Sequence, residues 1–285
     1  MLDLGAILTA MVTPFGADGA LDEASTVRLL HHLADHGSDG VVVAGTTGEG
    51  ALLSDEEHAR LIRLAVEEAG DRLSVIAGAG SNDTRHAVHL TEQATEAGAQ
   101  AILSVTPYYV KPNRRGIVRH FEEVARATDK PVILYNIPSR TALDMPNDLL
   151  AELAQIDGID AVKQARYDDL APIDGLELYA GNDDVLAQVL DLGGPGGILV
   201  SSHVVGDEMR RMVEEPARRR EIDAALKDVY RAMFVTANPI PVKTAVHMLG
   251  LIDHGTLRLP YVDADEHERE TVRTTLERHG LLATA

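Results

Sequence analysis

Asp160-Ala161-Val162-Lys163-Gln164-Ala165 is a short apolar run interrupted by one lysine. It reads as a strand of a packed α/β domain, and a lysine there is costly to desolvate unless it is paired, neutralised or used. Burial lowers a lysine's pKa, and a neutral amine is a nucleophile that can form a Schiff base with a carbonyl compound. The chain has five lysines against twenty-one arginines, so competitors for such a role are few. Lys111 and Lys130 each precede a proline, which places them in loops or turns. Lys227 lies in a charged helical stretch, and Lys243 follows the Asn238-Pro-Ile-Pro241 break. Lys163 alone has strand neighbours on both sides. A strand-end ion pair is the alternative to a covalent role.

Working outward, strand-like runs recur at Ile7–Val12, Val41–Ala44, Ser74–Ala79, Ala101–Val105, Val132–Tyr135, Asp160–Lys163, Glu177–Ala180 and Gly197–Val200. Helical periodicity fills most of the gaps, as in the Val27, Leu29, Leu30, Leu33 stripe and the Leu61 to Val66 stripe. Ser54 with Glu57 makes a capping box, and Asn82 or Asp83 opens the third helix. The βαβα alternation predicts a parallel sheet. Eight strands within the first 200 residues favour a closed (β/α)8 TIM barrel, in which the sixth and seventh units are short. From Gly206 the strand signals stop. Helices are expected at Glu214–Met233, Pro241–Leu249 and Glu266–Leu282. The predicted organisation is a barrel over 1–215 and a C-terminal helical appendage over 216–285.

The formal charge of −19 speaks against nucleic acid, whose phosphates want a basic face. The acidic residues are dispersed over helical faces, so an anionic substrate would need local positive groups. No apolar stretch is long enough to span a membrane and no signal-peptide pattern opens the chain. Without cysteine there is no disulfide, thiolate nucleophile or thiolate metal site. These features fit a cytoplasmic protein. The twelve histidines include no His-Glu-x-x-His pattern. His31, His32, His36, His86 and His89 fall on helices, and only His203 lies near a strand end, so no metal is expected. Gly193-Gly-Pro-Gly-Gly197 is no dinucleotide fingerprint, since no helix opens within it.

In a barrel of this kind the active site lies at the C-terminal strand ends. Strand two is followed by Gly45-Thr46-Thr47-Gly48-Glu49, whose hydroxyls and backbone N–H groups suit a carboxylate or phosphate. Strand four leads to Thr106-Pro107-Tyr108-Tyr109, and strand five ends Tyr135-Asn136-Ile137-Pro138-Ser139-Arg140. Strand six ends in Lys163, and strand seven in Gly181-Asn182-Asp183-Asp184. One rim thus carries a hydroxyl relay, an amine and an arginine.

Five motifs in order, Gly45–Glu49, Val105–Tyr109, Leu134–Thr141, Val162-Lys163 and Asn238–Lys243, resemble the dihydrodipicolinate synthase family of pyruvate-dependent class I aldolases. The resemblance runs nearly end to end. It implies that Lys163 forms a Schiff base with pyruvate, with no separate cofactor. Tyr135 would pass protons, with Thr47 and Tyr109 completing the relay. Tyr109 would enter the site of a neighbouring subunit, which implies a homodimer or homotetramer. Thr46, Thr47 and the backbone near Ile198 would hold the pyruvate carboxylate, Gly181 would line the substrate site, and Arg140 would bind the second carboxylate. The implied reaction condenses pyruvate with an anionic aldehyde, L-aspartate 4-semialdehyde, to 4-hydroxy-tetrahydrodipicolinate in lysine and diaminopimelate biosynthesis. Thr46 and Arg140 favour that aldehyde over a sugar.

Three departures stand out. Gln164 replaces an acidic residue, but strand alternation points it away from Lys163. Asn182 stands where aspartate is common, which bears on contacts to the second substrate. Asp55 and His86 stand where lysine-inhibited members carry a histidine and a glutamate, although Asn82, His58 and Tyr108 match that site. The resemblance therefore implies weak or absent feedback by lysine. The alternatives are a pyruvate aldolase for a 2-keto-3-deoxy sugar acid, separated by activity with one aldehyde and not the other, and a non-catalytic pyruvate-binding regulatory barrel.

Overall fold

Eight parallel strands follow one another around a closed ring in chain order, β1 pairing with β8 to complete it. The strands are β1 (Ile7–Ala10), β2 (Gly40–Val43), β3 (Ser74–Gly78), β4 (Ala101–Val105), β5 (Val132–Asn136), β6 (Ile159–Gln164), β7 (Glu177–Ala180) and β8 (Gly196–Leu199). The computed structural model describes residues 2–283. Every expected strand is present, with ends displaced by no more than two residues.

The helices between strands are α1 (Glu23–Asp35), α2 (Asp55–Ala69), α3 (Thr84–Glu96), α4 (Arg114–Arg126), the one-turn α5 (Pro138–Thr141), α6 (Asn147–Leu153) and α7 (Leu186–Asp191). Their starts follow the sequence chemistry. Ser54 and Glu57 form the reciprocal capping box of α2, and the Asp83 carboxylate accepts the Arg85 N–H at the start of α3. Between β6 and β7 the described residues form no helix; twelve residues of turns and irregular chain make the crossover. That is why the sixth unit reads as short.

After β8 come α8 (Ser202–Glu214), α9 (Arg219–Ala225), α10 (Lys227–Met233), α11 (Ile240–Met248) and α12 (Glu266–Arg278). The single helix expected over 214–233 is divided instead. Pro216 forces Glu215 out of the helical region (φ −115°, ψ 68°), so α8 stops at Glu214. A second interruption at Leu226 separates α9 from α10. The last helix ends at Arg278, four residues before the expected Leu282.

Two apolar layers result. Side chains facing the helices, Val162 among them, join the large outer core. The barrel interior is filled by residues such as Leu8, Val42, Ile76, Ala161, Tyr135, Tyr179 and Ile198. Alternation along β6 therefore turns Ala161, Lys163 and Ala165 inward and Val162 and Gln164 outward. In register, Lys163 lies between Tyr135 of β5 and Tyr179 of β7.

Candidate active site

Lys163 occupies the C-terminal end of β6 and is only 6% exposed. Its Nζ sits 4.4 Å from the centroid of the Tyr135 ring. Burial pushes the amine down from the usual lysine value to about 7; the Asp183 carboxylate opposes this and the Arg140 guanidinium adds to it. Near neutral pH a large fraction of Lys163 is therefore the free base, the form that attacks a carbonyl. Tyr135 moves the other way. Burial lifts its phenol to about 12, only partly offset by Arg140 and a Thr46 hydroxyl contact. It stays a neutral O–H, able to accept a proton and donate one.

The loop after β2 supplies the two threonines, and they make different contacts. Thr46 is the one whose hydroxyl bears on Tyr135. Thr47 is buried and accepts a hydrogen bond from Asn238 Nδ2 at 3.0 Å. Adjacent residues in a tight turn face different ways, and sequence alone cannot say which of two threonines meets the tyrosine. Thr46 thus contacts Tyr135, whereas the Thr47 hydroxyl meets Asn238.

Lys163, Tyr135, Thr46, Thr47, Arg140 and Gly181 all line one small cavity of about 40 Å³, together with Asn182 and Asn238. It adjoins a larger one of about 480 Å³ that shares Thr46, Tyr135 and Arg140 and extends to Asp55, His58, His86 and Tyr108. There His86 Nε2 meets Asp55 Oδ1 at 3.0 Å. Gly181 is required by close approach: a Cβ would stand 2.5 Å from the Gln164 carbonyl oxygen. Two expected residues stand apart. Ile198 is fully buried in the barrel interior and is absent from the cavity wall. Tyr109 is 86% exposed, with left-handed backbone (φ 69°), and does not line the small cavity within its own chain.

The outward face of the strand ends is braced. Asn136 Nδ2 donates to Gln164 Oε1 and Asp144 Oδ1, each at 3.0 Å, and Arg166 pairs with Asp144 at 2.7 Å. Gln164 therefore serves this outer network, as its alternation implies. Asn182 Nδ2 donates to the Tyr167 hydroxyl at the rim. His203, the one histidine near a strand end, accepts the Val12 N–H at Nε2 and donates from Nδ1 to the Val200 carbonyl. Burial holds it neutral, near 4, so it is a core histidine.

Three groups had no assigned role in the sequence. Asp183 is buried and accepts hydrogen bonds from Val200 N, Ser201 N and Ser201 Oγ at 2.7–3.0 Å, joining the β7 and β8 ends. Its position after strand seven was the available signal. Lys243, set aside because no strand surrounds it, is fully buried on α11 and bonds Glu49 Oε1 at 2.5 Å. Glu49 also accepts the Arg258 N–H, and the Lys243 and Arg258 cations flank the Phe15 ring at 4.2 Å each. Asn238 is the third. Both Asn238 and Lys243 belong to a motif that the sequence reading matched without assigning a function to either. Among the described residues, no three His, Cys, Asp or Glu side chains are grouped to hold a metal ion.

Comparison with known proteins agrees with the fold. The 4-hydroxy-tetrahydrodipicolinate synthase of Moorella thermoacetica is 43% identical, over 98% of this chain and 99% of the relative. A dihydrodipicolinate synthase structure from Bacillus anthracis is 38% identical with a TM-score of 0.89, covering 97% of this chain and 99% of that one. The Acinetobacter baumannii enzyme, solved in complex with pyruvate, is 35% identical with a TM-score of 0.93, covering 98% of this chain and all of that one. Residues 3–279 match the dihydrodipicolinate synthetase family, and the chain belongs to it.

Proposed function

We propose that this chain condenses pyruvate with L-aspartate 4-semialdehyde to 4-hydroxy-tetrahydrodipicolinate, through a Schiff base on Lys163. The enzyme name carried by its relatives supports the reaction. The observation that carries the assignment of the lysine is its buried amine, held near 7 beside a neutral phenol.

The chemistry follows from that pair. The free amine attacks the keto carbon of pyruvate, and the resulting carbinolamine loses water to give an iminium ion. The positive nitrogen accepts the electron pair left when the methyl group loses a proton, and the enamine then attacks the aldehyde carbon. Each proton movement needs a group poised to give or take it, and Tyr135 with Thr46 can do so without net charge separation. Thr47 and the nearby backbone hold the pyruvate carboxylate, keeping its keto carbon within reach of Lys163. Arg140 offers a bidentate fork to the carboxylate of the aldehyde, a local positive charge on a chain of net −19. This route needs no cofactor beyond the lysine itself.

Tyr109 completes the relay from a neighbouring subunit. Its 86% exposure and left-handed backbone support that reading, since such a conformation costs an ordinary residue roughly 1–2 kcal/mol and is kept for a reason. The protein is then at least a homodimer, acting in the cytoplasm. Sedimentation of the intact protein should give a dimer or larger, and Tyr109→Ala should lower kcat by about 10²-fold. A fully active monomer would refute this.

Borohydride reduction in the presence of pyruvate, followed by peptide mapping, tests the assignment of the lysine. The expected result is one pyruvyl adduct, on Lys163, with trapping that increases as pH rises through about 7. Folded protein that yields no adduct would sink the mechanism.

A further inference from the structure

We propose that Asn238 is a positioning residue that fixes Thr47 as a hydrogen-bond donor toward the pyruvate carboxylate and ties the threonine to Arg140. This rests on the reading above, in which Thr47 holds that carboxylate. Asn238 lies in the link between α10 and α11, is 6% exposed and lines the cavity that contains Lys163. Its Nδ2 donates to Thr47 Oγ1 at 3.0 Å, and its backbone carbonyl accepts from Arg140 Nη2 at 3.3 Å. One residue thus touches both groups assigned to the two substrate carboxylates.

The rest of the amide argues that it is kept for the site. Asn238 Oδ1 is buried and has no hydrogen-bond partner among the described residues. A buried polar atom left unpaired costs stability. The fold carries that cost on a side chain whose one hydrogen bond goes to Thr47.

Hydroxyl stoichiometry gives the bond its direction. A threonine hydroxyl has one proton and two lone pairs, whereas a carboxylate only accepts. With the Asn238 N–H on one lone pair, the Thr47 proton is turned away from the amide and left for an acceptor in the cavity. Were the amide oxygen placed there instead, the hydroxyl would donate to it and offer only a lone pair to the substrate. The neighbouring contact strengthens the arrangement. Lys243, on α11, pairs with Glu49, two residues beyond Thr47, so the two segments are joined at two points.

Asn238→Ala and Asn238→Asp in the full-length protein test this. The alanine variant should raise the pyruvate KM about 10-fold with a much smaller change in kcat, the signature of lost ground-state binding. The aspartate variant is nearly isosteric yet should be worse, about 100-fold at neutral pH. Its carboxylate captures the Thr47 proton and repels the substrate, and part of the loss should return as the pH is lowered. Both should still give the Lys163 adduct at saturating pyruvate, with melting temperatures near that of the parent. If the alanine variant fails to fold, the aspartate variant and its pH profile carry the test alone. An unchanged pyruvate KM, or an aspartate variant milder than the alanine one, would overturn the proposal in favour of a packing role. A parent protein that gives no adduct would overturn the functional reading and this proposal with it, which separates the two failures.

Discussion

Lys163→Met should abolish turnover and at the same time make the fold more stable. The loss is expected to be at least ~10³-fold in kcat/KM, because no remaining group on the rim can replace the covalent intermediate. The gain should be roughly 1–3 kcal/mol, since an apolar side chain of similar length removes the desolvation of a buried amine. Its pH dependence is specific. The native amine titrates near 7 and the unfolded one near the ordinary 10.5, so between these values the unfolded chain binds more protons than the native one. Parental stability from this group therefore rises with pH across that window. The advantage of the methionine variant should be greatest and level below about 7, and should shrink toward 10.5. Urea unfolding of both proteins at several pH values measures it. A methionine variant less stable than the parent at pH 7 would show that the lysine is held by compensating contacts instead.

Removing either partner of the Glu49–Lys243 pair should cost about 3–5 kcal/mol, the penalty for leaving one buried charge without its counter-ion. Both side chains are wholly inaccessible and 2.5 Å apart. Glu49→Gln leaves the Lys243 ammonium against the Phe15 ring without its bonded anion; Lys243→Met leaves the Glu49 carboxylate with the Arg258 N–H. The double variant should lose much less than the sum of the two, because neither charge is then stranded. Denaturant midpoints of the three variants decide the matter. Single variants within about 0.5 kcal/mol of the parent would mean that water reaches the pair.

The ring of strands was legible because parallel strands buried on both faces read as apolar runs, and helices with one apolar stripe separate them. Lys163 stood out for the same reason, as a charge inside such a run. Lys243 did not, because on a helix a lysine beside a proline-rich break looks solvated, and its partner Glu49 is 194 residues away in the chain. The choice between Thr46 and Thr47 was equally hidden, since it depends on the direction of a turn. The break of the 214–233 helix was half visible: Pro216 announces one interruption, whereas nothing in the sequence marks Leu226.

The contacts that α11 and the link before it make with the loop after β2 also bear on how the protein is made. Thr47 and Asn238 are 191 residues apart, and Glu49 and Lys243 are 194 apart. At a synthesis rate of about 5–20 residues per second, the Glu49 segment leaves the ribosome some ten to forty seconds before its cation exists. Until then the carboxylate favours a hydrated, open loop over a buried one. A nascent chain can form its first strands early, but the loop after β2 gains its Asn238 and Lys243 partners only when α11 and the link before it arrive. A growing chain thereby lacks both contacts until residue 243 has been made.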